Sequence, residues 1–277
     1  MVLKEFKPGY LLSELVRTYR LVQFEFKGNV TLPCKAYPPR AEHCLSFYPR
    51  DLENVEYAGS GRKVGNLRAV LFGQQTEVSN RFVGNNFLLF QIVFKPGGLF
   101  RLTGVPSHEF NNSYLDAEIV FSKDIKSINE KLYECIHDNE MVAIVESFLL
   151  KELTRKSIAL HRMDSVNAGL FTTSSLPTVD AMAASTYLST RQFERLFKER
   201  MGVSPKYYLK VLRFENIFRM KNTLPHLDWL SLAIHNGYYD YQHLVKDYKS
   251  FTQKTPTEFH QIDLSAPERE FGVADTF

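Results

Sequence analysis

The sequence predicts an α+β chain of two domains, the first β-rich and closed by helices, the second all-α. Three observations predict it. Short apolar or alternating runs separated by turn clusters fill residues 18–121. From Ile125 onward apolar residues recur at helical spacing. Within 178–260 a pattern of caps, apolar positions and prolines repeats at an offset of 51 residues. The chain has 277 residues, enough for two separate cores.

The β-rich part reads from TYRLVQFEF, HCLSFY, LRAVLFG and FLLFQIVF. Its separators are residues 35–40 with two prolines, Gly59-Ser60-Gly61, Val83-Gly84-Asn85-Asn86 and Lys95-Pro96-Gly97-Gly98. Several short strands with regular turns predict a sandwich or barrel. Ile128, Leu132, Cys135 and Ile136, then Val142, Val145, Phe148 and Leu149, predict two helices that close the domain near Leu160. This domain is taken as 1–164. The small, polar stretch SVNAGLFTTSSLP, residues 165–177, reads as a linker. Residues 178–262 form the helical domain. Residues 263–277, with four acids and one Arg, read as a loosely ordered acidic tail.

Composition excludes several classes. At 44% hydrophobic and 23% charged the chain is ordinary for a globular protein. No run of about 18 apolar residues exists, so no membrane span is expected. The opening MVLKEFKPGYLLSEL holds acids and no apolar block, so no signal peptide is expected. Cys34, Cys44 and Cys135 are an odd, widely spaced set that suits a reducing cytoplasm. The spacing of Cys34, His43 and Cys44 fits no zinc pattern. His43 and His108 are the only histidines in 1–121, too few and too far apart for a metal-binding β-domain. GSGRKVG at 59–65 fits no phosphate-binding loop and reads as a hairpin turn. KPGG at 95–98 reads as a strand-end turn. No nucleophile-elbow or zinc-protease motif occurs. No cofactor, metal or catalytic residue is expected, and no enzyme. Net charge is +3; residues 178–262 carry twelve Lys and Arg against eight Asp and Glu, which allows a nucleic-acid partner without requiring one.

The repeat is the most informative feature. STRQFERLFKERMGVSPKYY, from Ser189, matches DYQHLVKDYKSFTQKTPTEF, from Asp240. Ser189 and Asp240 are both N-cap residues. Phe193 matches Leu244 and Phe197 matches Tyr248, four apart on one helix face. Ser204-Pro205 matches Thr255-Pro256, a cap with proline at the first helical position. Before each cap lies a short helix of small residues, at 179–185 and 227–235, then a tight turn; the second turn holds Asn236-Gly237. A short helix, a tight turn and a capped second helix is the helix-turn-helix plan. The two second helices are expected at 190–200 and 241–251.

With Phe193, Leu196 and Phe197 inside, Arg191, Glu194, Arg195 and Lys198 face out from the first capped helix. With Leu244, Tyr248 and Phe251 inside, Tyr241, Gln242, Val245, Lys246 and Lys249 face out from the second. Arg191 and Arg195 suit guanine, Glu194 suits cytosine, Gln242 suits adenine and Val245 a thymine methyl. Thr190, Lys198, Lys206, Lys249 and Thr257 suit phosphates, which position without reading sequence.

From about Leu176 to Phe259, through LSTRQFERLFKERMGVSPKYY, the LRF at 212–214 and GYYDYQHLVKDYKSFTQKTP, the chain resembles the AraC/XylS family of bacterial transcriptional regulators. The resemblance implies two homeodomain-like helix-turn-helix units joined by a long helix, here about 205–224. Their recognition helices would enter successive major grooves. It places base reading on Arg191, Glu194, Arg195, Tyr241, Gln242, Val245 and Lys246. Two departures stand out: Tyr187 where the first turn usually has Gly, and Gln253 where the first half has Gly202. Gln253 is expected to take a left-handed backbone. FGQQT at 72–76 and FKPGGLFRLTGVP at 94–106 resemble the β-rich, often cupin-like sensor domains of some of these regulators. The resemblance implies operator DNA as partner, with RNA polymerase, a small effector and a second copy of the chain as further possible partners, and a cytoplasmic, nucleoid-associated location. A second reading is a small-molecule-binding protein or enzyme whose helical domain makes protein contacts.

Overall fold

The computed structural model describes residues 1–26, 34–121, 124–155, 158–164, 170 and 176–276. The stretch expected as a linker, 165–177, lies almost wholly outside the described residues.

Among the described residues, two antiparallel sheets build the N-terminal domain. One has six strands in the order β1 (Val2–Phe6), β2 (Val16–Glu25), β9 (Asn86–Phe94), β4 (Cys44–Phe47), β7 (Ala69–Phe72) and β10 (Leu115–Asp116). The other has four, β3 (Lys35–Tyr37), β8 (Ser79–Phe82), β5 (Asn54–Tyr57) and β6 (Lys63–Gly65). The spine is β2 against β9, paired from Val16↔Phe94 to Glu25↔Asn86 with a bulge between Val16 and Thr18. Both faces of β9 are covered, which is why FLLFQIVF is a nearly unbroken apolar run. Phe87, Leu89 and Val93 join Val55, Tyr57 and Phe72 in a core between the sheets. Leu88, Phe90, Ile92 and Phe94 meet Ile125, Ile128 and Leu132 of α2 (Asp124–Glu134) and Val145, Phe148 and Leu149 of α3 (Asp138–Arg155). The two closing helices are thus present.

Three local expectations change. Strand β1 lies upstream of the expected β region and pairs with β2 along its whole length. Helix α2 stops at Glu134, and Ile136, expected on its apolar stripe, is 85% exposed. The KPGG turn leads into a short helix, α1 (Gly98–Thr103), entered through Gly97 at φ 80°.

The C-terminal domain has α4 (Val179–Ser185), α5 (Thr190–Met201), α6 (Pro205–Thr223), α7 (Trp229–His235), α8 (Tyr241–Thr252) and α9 (Pro256–Asp263). Helix α6 serves both halves. Its Tyr208 packs on Phe197 (centroids 5.5 Å apart), and its Phe214 packs on Tyr248 (4.6 Å) and Phe251 (5.0 Å).

The domains do not merely adjoin. Ala36, Ala41 and Val78 of the N-terminal domain belong to the same buried cluster as the helical core. Tyr208 Oη donates to the Ala41 carbonyl (3.2 Å), and the Ala41 N–H donates to Glu215 Oε2 (3.0 Å). Ser107 Oγ donates to the Arg200 carbonyl (2.6 Å), and Asn111 Nδ2 to that of Gly202 (2.7 Å). An ionic cluster crosses the seam. Arg20 grips Glu42 with both guanidinium arms (2.7 and 2.8 Å), Arg17 joins them, and Arg219 of α6 reaches Glu42 across the seam (3.7 Å) while pairing with Glu215 on its own helix (2.6 Å). Burial pushes the Glu42 carboxyl up, but Arg20 and Arg17 outweigh it and hold it well below the usual carboxylate range.

The tail expected to be loosely ordered is not. Residues 267–271 form a 3-10 turn, and Ala266, Pro267, Glu268 and Asp275 are buried. Two of its acids, Glu268 and Asp275, are matched by Lys35 and Arg40, more than 230 residues away in sequence. No local pattern could announce such a pairing.

Candidate nucleic-acid interface

Each half of the helical domain is set by the same local devices. Ser189 opens α5 with a reciprocal cap: the Gln192 N–H donates to Ser189 Oγ (3.4 Å) and the Ser189 N–H to Gln192 Oε1 (3.2 Å). Asp240 opens α8, accepting from the His243 N–H (2.7 Å). Ser204-Pro205 and Thr255-Pro256 cap α6 and α9 in the same way (3.3 Å each). The first helices of the units are capped by Thr178 (3.2 Å) and Asp228 (2.9 Å). Hydrogen bonds from Ser231 hold the exposed Asp228 carboxyl below its ordinary range.

The turns show where the repeat bends. Tyr187 and Gly237 occupy equivalent places, at φ 59° and 77°. The next residue in each case, Leu188 or Tyr238, returns its N–H to the carbonyl of Ala183 (3.3 Å) or Ala233 (3.0 Å). The second turn holds one more residue, Tyr239, so the offset is 50 before the cap and 51 after it. Both departures therefore fall on left-handed positions. Gln253 ends α8 at φ 59° as Gly202 ends α5 at φ 81°.

Inside, Phe193, Phe197, Leu244 and Tyr248 are buried as expected. Outside, Arg191, Glu194, Arg195 and Lys198 form one exposed face on α5, and Gln242, Lys246 and Lys249 one on α8. Thr190 is exposed and donates to Asp180 Oδ1 (3.0 Å), tying α5 to α4. Lys206 and Thr257 are exposed in the first turns of α6 and α9. Tyr241 and Val245 are only half-exposed, and Tyr241 leans on the helical core. Leu196, expected fully inside, is half-buried.

The second unit has a buried polar seam at a place that is apolar in the first. Asp247 occupies the place of Leu196; it accepts from Tyr238 Oη (3.0 Å) and pairs with Lys210 of α6 (3.2 Å). Burial, with Asp247 beside it, raises the Tyr238 phenol. Sequence reading also missed Lys35, Arg40 and the Glu42 cluster. Their only local trace is a proline-flanked loop, PPRAEH, that carries three titratable residues where a plain turn needs none.

Two protruding polar helices, each the second of a short-helix, turn, capped-helix unit, on one rigid connecting helix, define a double helix-turn-helix protein. Residues 182–262 match a family model described as a helix-turn-helix domain. The C-terminal domain is a helix-turn-helix domain of the AraC type. The whole fold is similar to ToxT from Vibrio cholerae, which aligns over 89% of this chain and 99% of its own at 10% identity, with a TM-score of 0.50. The DNA-binding domain of AdpA, a global transcriptional factor solved in complex with a target DNA, aligns over 38% of this chain and 96% of its own at 20% identity, with a TM-score of 0.35. No curated protein matches the chain by sequence. Among the described residues no helix is long and apolar enough to cross a membrane, and no group of three or more His, Cys, Asp and Glu is placed to hold a metal ion.

Proposed function

We propose that α5 and α8 enter successive major grooves of operator DNA and that the N-terminal domain senses a small effector. The carrying observation is the duplicated capped helix with an exposed polar face in each half. Arg191, Glu194 and Arg195 read bases from α5; Gln242 and Lys246 read them from α8, with Tyr241 and Val245 contributing apolar contact at the edge of that face. Thr190, Lys198, Lys206, Lys249 and Thr257 take phosphates. The first helix offers two guanidinium groups and the second none, so α5 carries more of the direct readout. A cavity of about 120 Å³ between the sheets supports the sensing role; Val22, Phe87 and Leu89 give it apolar walls, and Arg20, Lys35 and Arg40 a cationic side. The reading includes no enzymatic step, a cytoplasmic location, and RNA polymerase and a second copy of the chain as partners.

The test is the affinity of the full chain for a selected operator and for random duplex, across a salt series. Arg195→Ala should cost about 1–3 kcal/mol on the operator and relax specificity at one base pair. Lys249→Ala should weaken both duplexes alike and reduce the salt slope by about one. If Arg195→Ala and Lys246→Ala bind both duplexes as the unaltered chain does, the assigned faces are wrong. No binding even at low salt would favour the protein-contact reading of the helical domain.

A further inference from the structure

Residues 264–276, which follow α9, leave the DNA-binding domain and return to the mouth of the sandwich. Glu268 and Asp275 are 6% exposed there. Asp275 Oδ2 accepts from Lys35 Nζ (2.8 Å) and from Arg40 Nη2, and Glu268 pairs with the same Lys35. Pro267, Glu268 and Asp275 line the cavity between the sheets, so the segment forms one of its walls. Phe271 sets its ring edge-on against Phe26 (centroids 5.0 Å apart) and near Phe24 (6.2 Å). On the other side the segment is tied to the DNA-binding domain. Asn222, near the end of α6, donates to the Asp275 carbonyl (2.8 Å), and Arg269 donates to Asn222 Oδ1 (2.7 Å) and pairs with Asp263 of α9.

The kind of contact matters as much as its place. Residues 264–276 belong to neither sheet. What holds them is chiefly ion pairing, with a few apolar groups. A buried ion pair gives back in desolvation much of what it gains in attraction. A short segment held this way opens at far lower cost than the sheets or helices it bridges. The same side chains make a specific docking site, because two cations, Lys35 of β3 and Arg40 of the loop that follows it, converge on one carboxylate.

We infer that residues 264–276 are a tethered, exchangeable occupant of the cationic mouth formed by Lys35 and Arg40: a latch that closes the cavity and clasps the end of α6 to the sandwich. Docked, it stands between the cavity and any anion approaching Lys35 and Arg40 from that side. Undocked, it removes Asp275 and Glu268 from the site and frees one tie between the domains. Tethering gives the segment a high effective concentration, so a free copy competes poorly while the latch is shut. The inference deepens the sensing role proposed above by naming what guards that cavity. Its test uses neither an effector nor DNA, so its failure would leave that role standing and the failure of that role would leave the latch standing.

The experiment uses the full chain and a labelled synthetic peptide of residues 264–276. Asp275→Lys places a cation against Lys35 and Arg40 and should undock the tethered copy; Asp275→Asn is a milder version. In the altered chains, hydrogen exchange within 264–276 should accelerate at least tenfold, with protection of α4–α9 unchanged. The free peptide should bind Asp275→Lys at least tenfold more tightly than it binds the unaltered chain, with Asp275→Asn between them. A peptide carrying Asn in place of its Asp275 should lose that gain. The inference is overturned if exchange in 264–276 stays slow in both altered chains. It is equally overturned if the peptide binds altered and unaltered chains alike, or binds neither.

Discussion

The internal repeat supplies its own control for backbone strain, because Gly202 and Gln253 end equivalent helices in the same left-handed conformation (φ 81° and 59°). A residue with a Cβ in that conformation costs roughly 1–2 kcal/mol. Converting Gln253→Gly removes that strain, and the side chain it loses is exposed. Against this, the glycine gives the unfolded chain more freedom, worth about 0.4–1 kcal/mol. The net expectation is a gain of about 0.5–1 kcal/mol. The reverse exchange, Gly202→Gln, is not its mirror image. A Cβ there would stand 2.2 Å from Asn111 Oδ1 and 3.0 Å from the Ser107 carbonyl oxygen, at the seam between the domains. Added to the strain, the forced shift brings the loss to about 2–4 kcal/mol. Urea unfolding followed by the fluorescence of Trp229, the chain's single tryptophan, reads both changes. The reasoning is refuted if Gln253→Gly destabilises the protein, or if Gly202→Gln stays within about 0.5 kcal/mol of the unaltered chain.

Two further outcomes follow from the caps and from the seam. Ser189→Ala and Asp240→Ala should each cost about 0.5–2 kcal/mol in the same unfolding assay, whereas Ser189→Asp, which keeps an acceptor, should cost little. His43 is buried with Nε2 facing the Met201 carbonyl (3.2 Å), and burial pushes its imidazole down to about 4. The unfolded chain takes up that proton near pH 6.5 and the folded chain only near pH 4, so the contribution is complete above pH 6.5 and is lost as pH falls between the two. It amounts to about 3 kcal/mol. The stability difference between the unaltered chain and His43→Asn, measured from pH 7 to pH 4, should shrink by an amount of that order; a difference independent of pH would contradict the assignment.

Legibility in the sequence followed the range of the forces involved. Helices α4 to α9 were readable within a residue or two because caps, prolines and apolar spacing act within a few positions of one another. The exposed faces of α5 and α8 came with them, and Tyr187 and Gln253 were conspicuous because glycine is the ordinary occupant of such turns. Strand β1 was less legible, since VLKEF is short and its partner, β2, supplies most of the reason for its form. Long-range polar pairing left almost no trace. Glu42 and Arg219, or Lys35 and Asp275, are ordinary surface residues by every local criterion, and only the docked domains make them partners, with the carboxylates buried and the cations partly so. Tyr241 and Val245 are each only half-exposed, and Tyr241 leans on the helical core, a contact that helical spacing alone does not announce.

The most direct test of two base-reading helices on one chain is selection of bound duplexes from a random library by the full chain at fixed salt, repeated with Arg195→Ala and Lys246→Ala. Two short specified blocks, centred about one helical turn of DNA (~10–10.5 base pairs) apart, are predicted. Each substitution should relax one block only, and the block sensitive to Arg195 should be the more sharply specified. A single block, or two blocks that both respond to one substitution, would contradict the assignment of α5 and α8 to separate grooves.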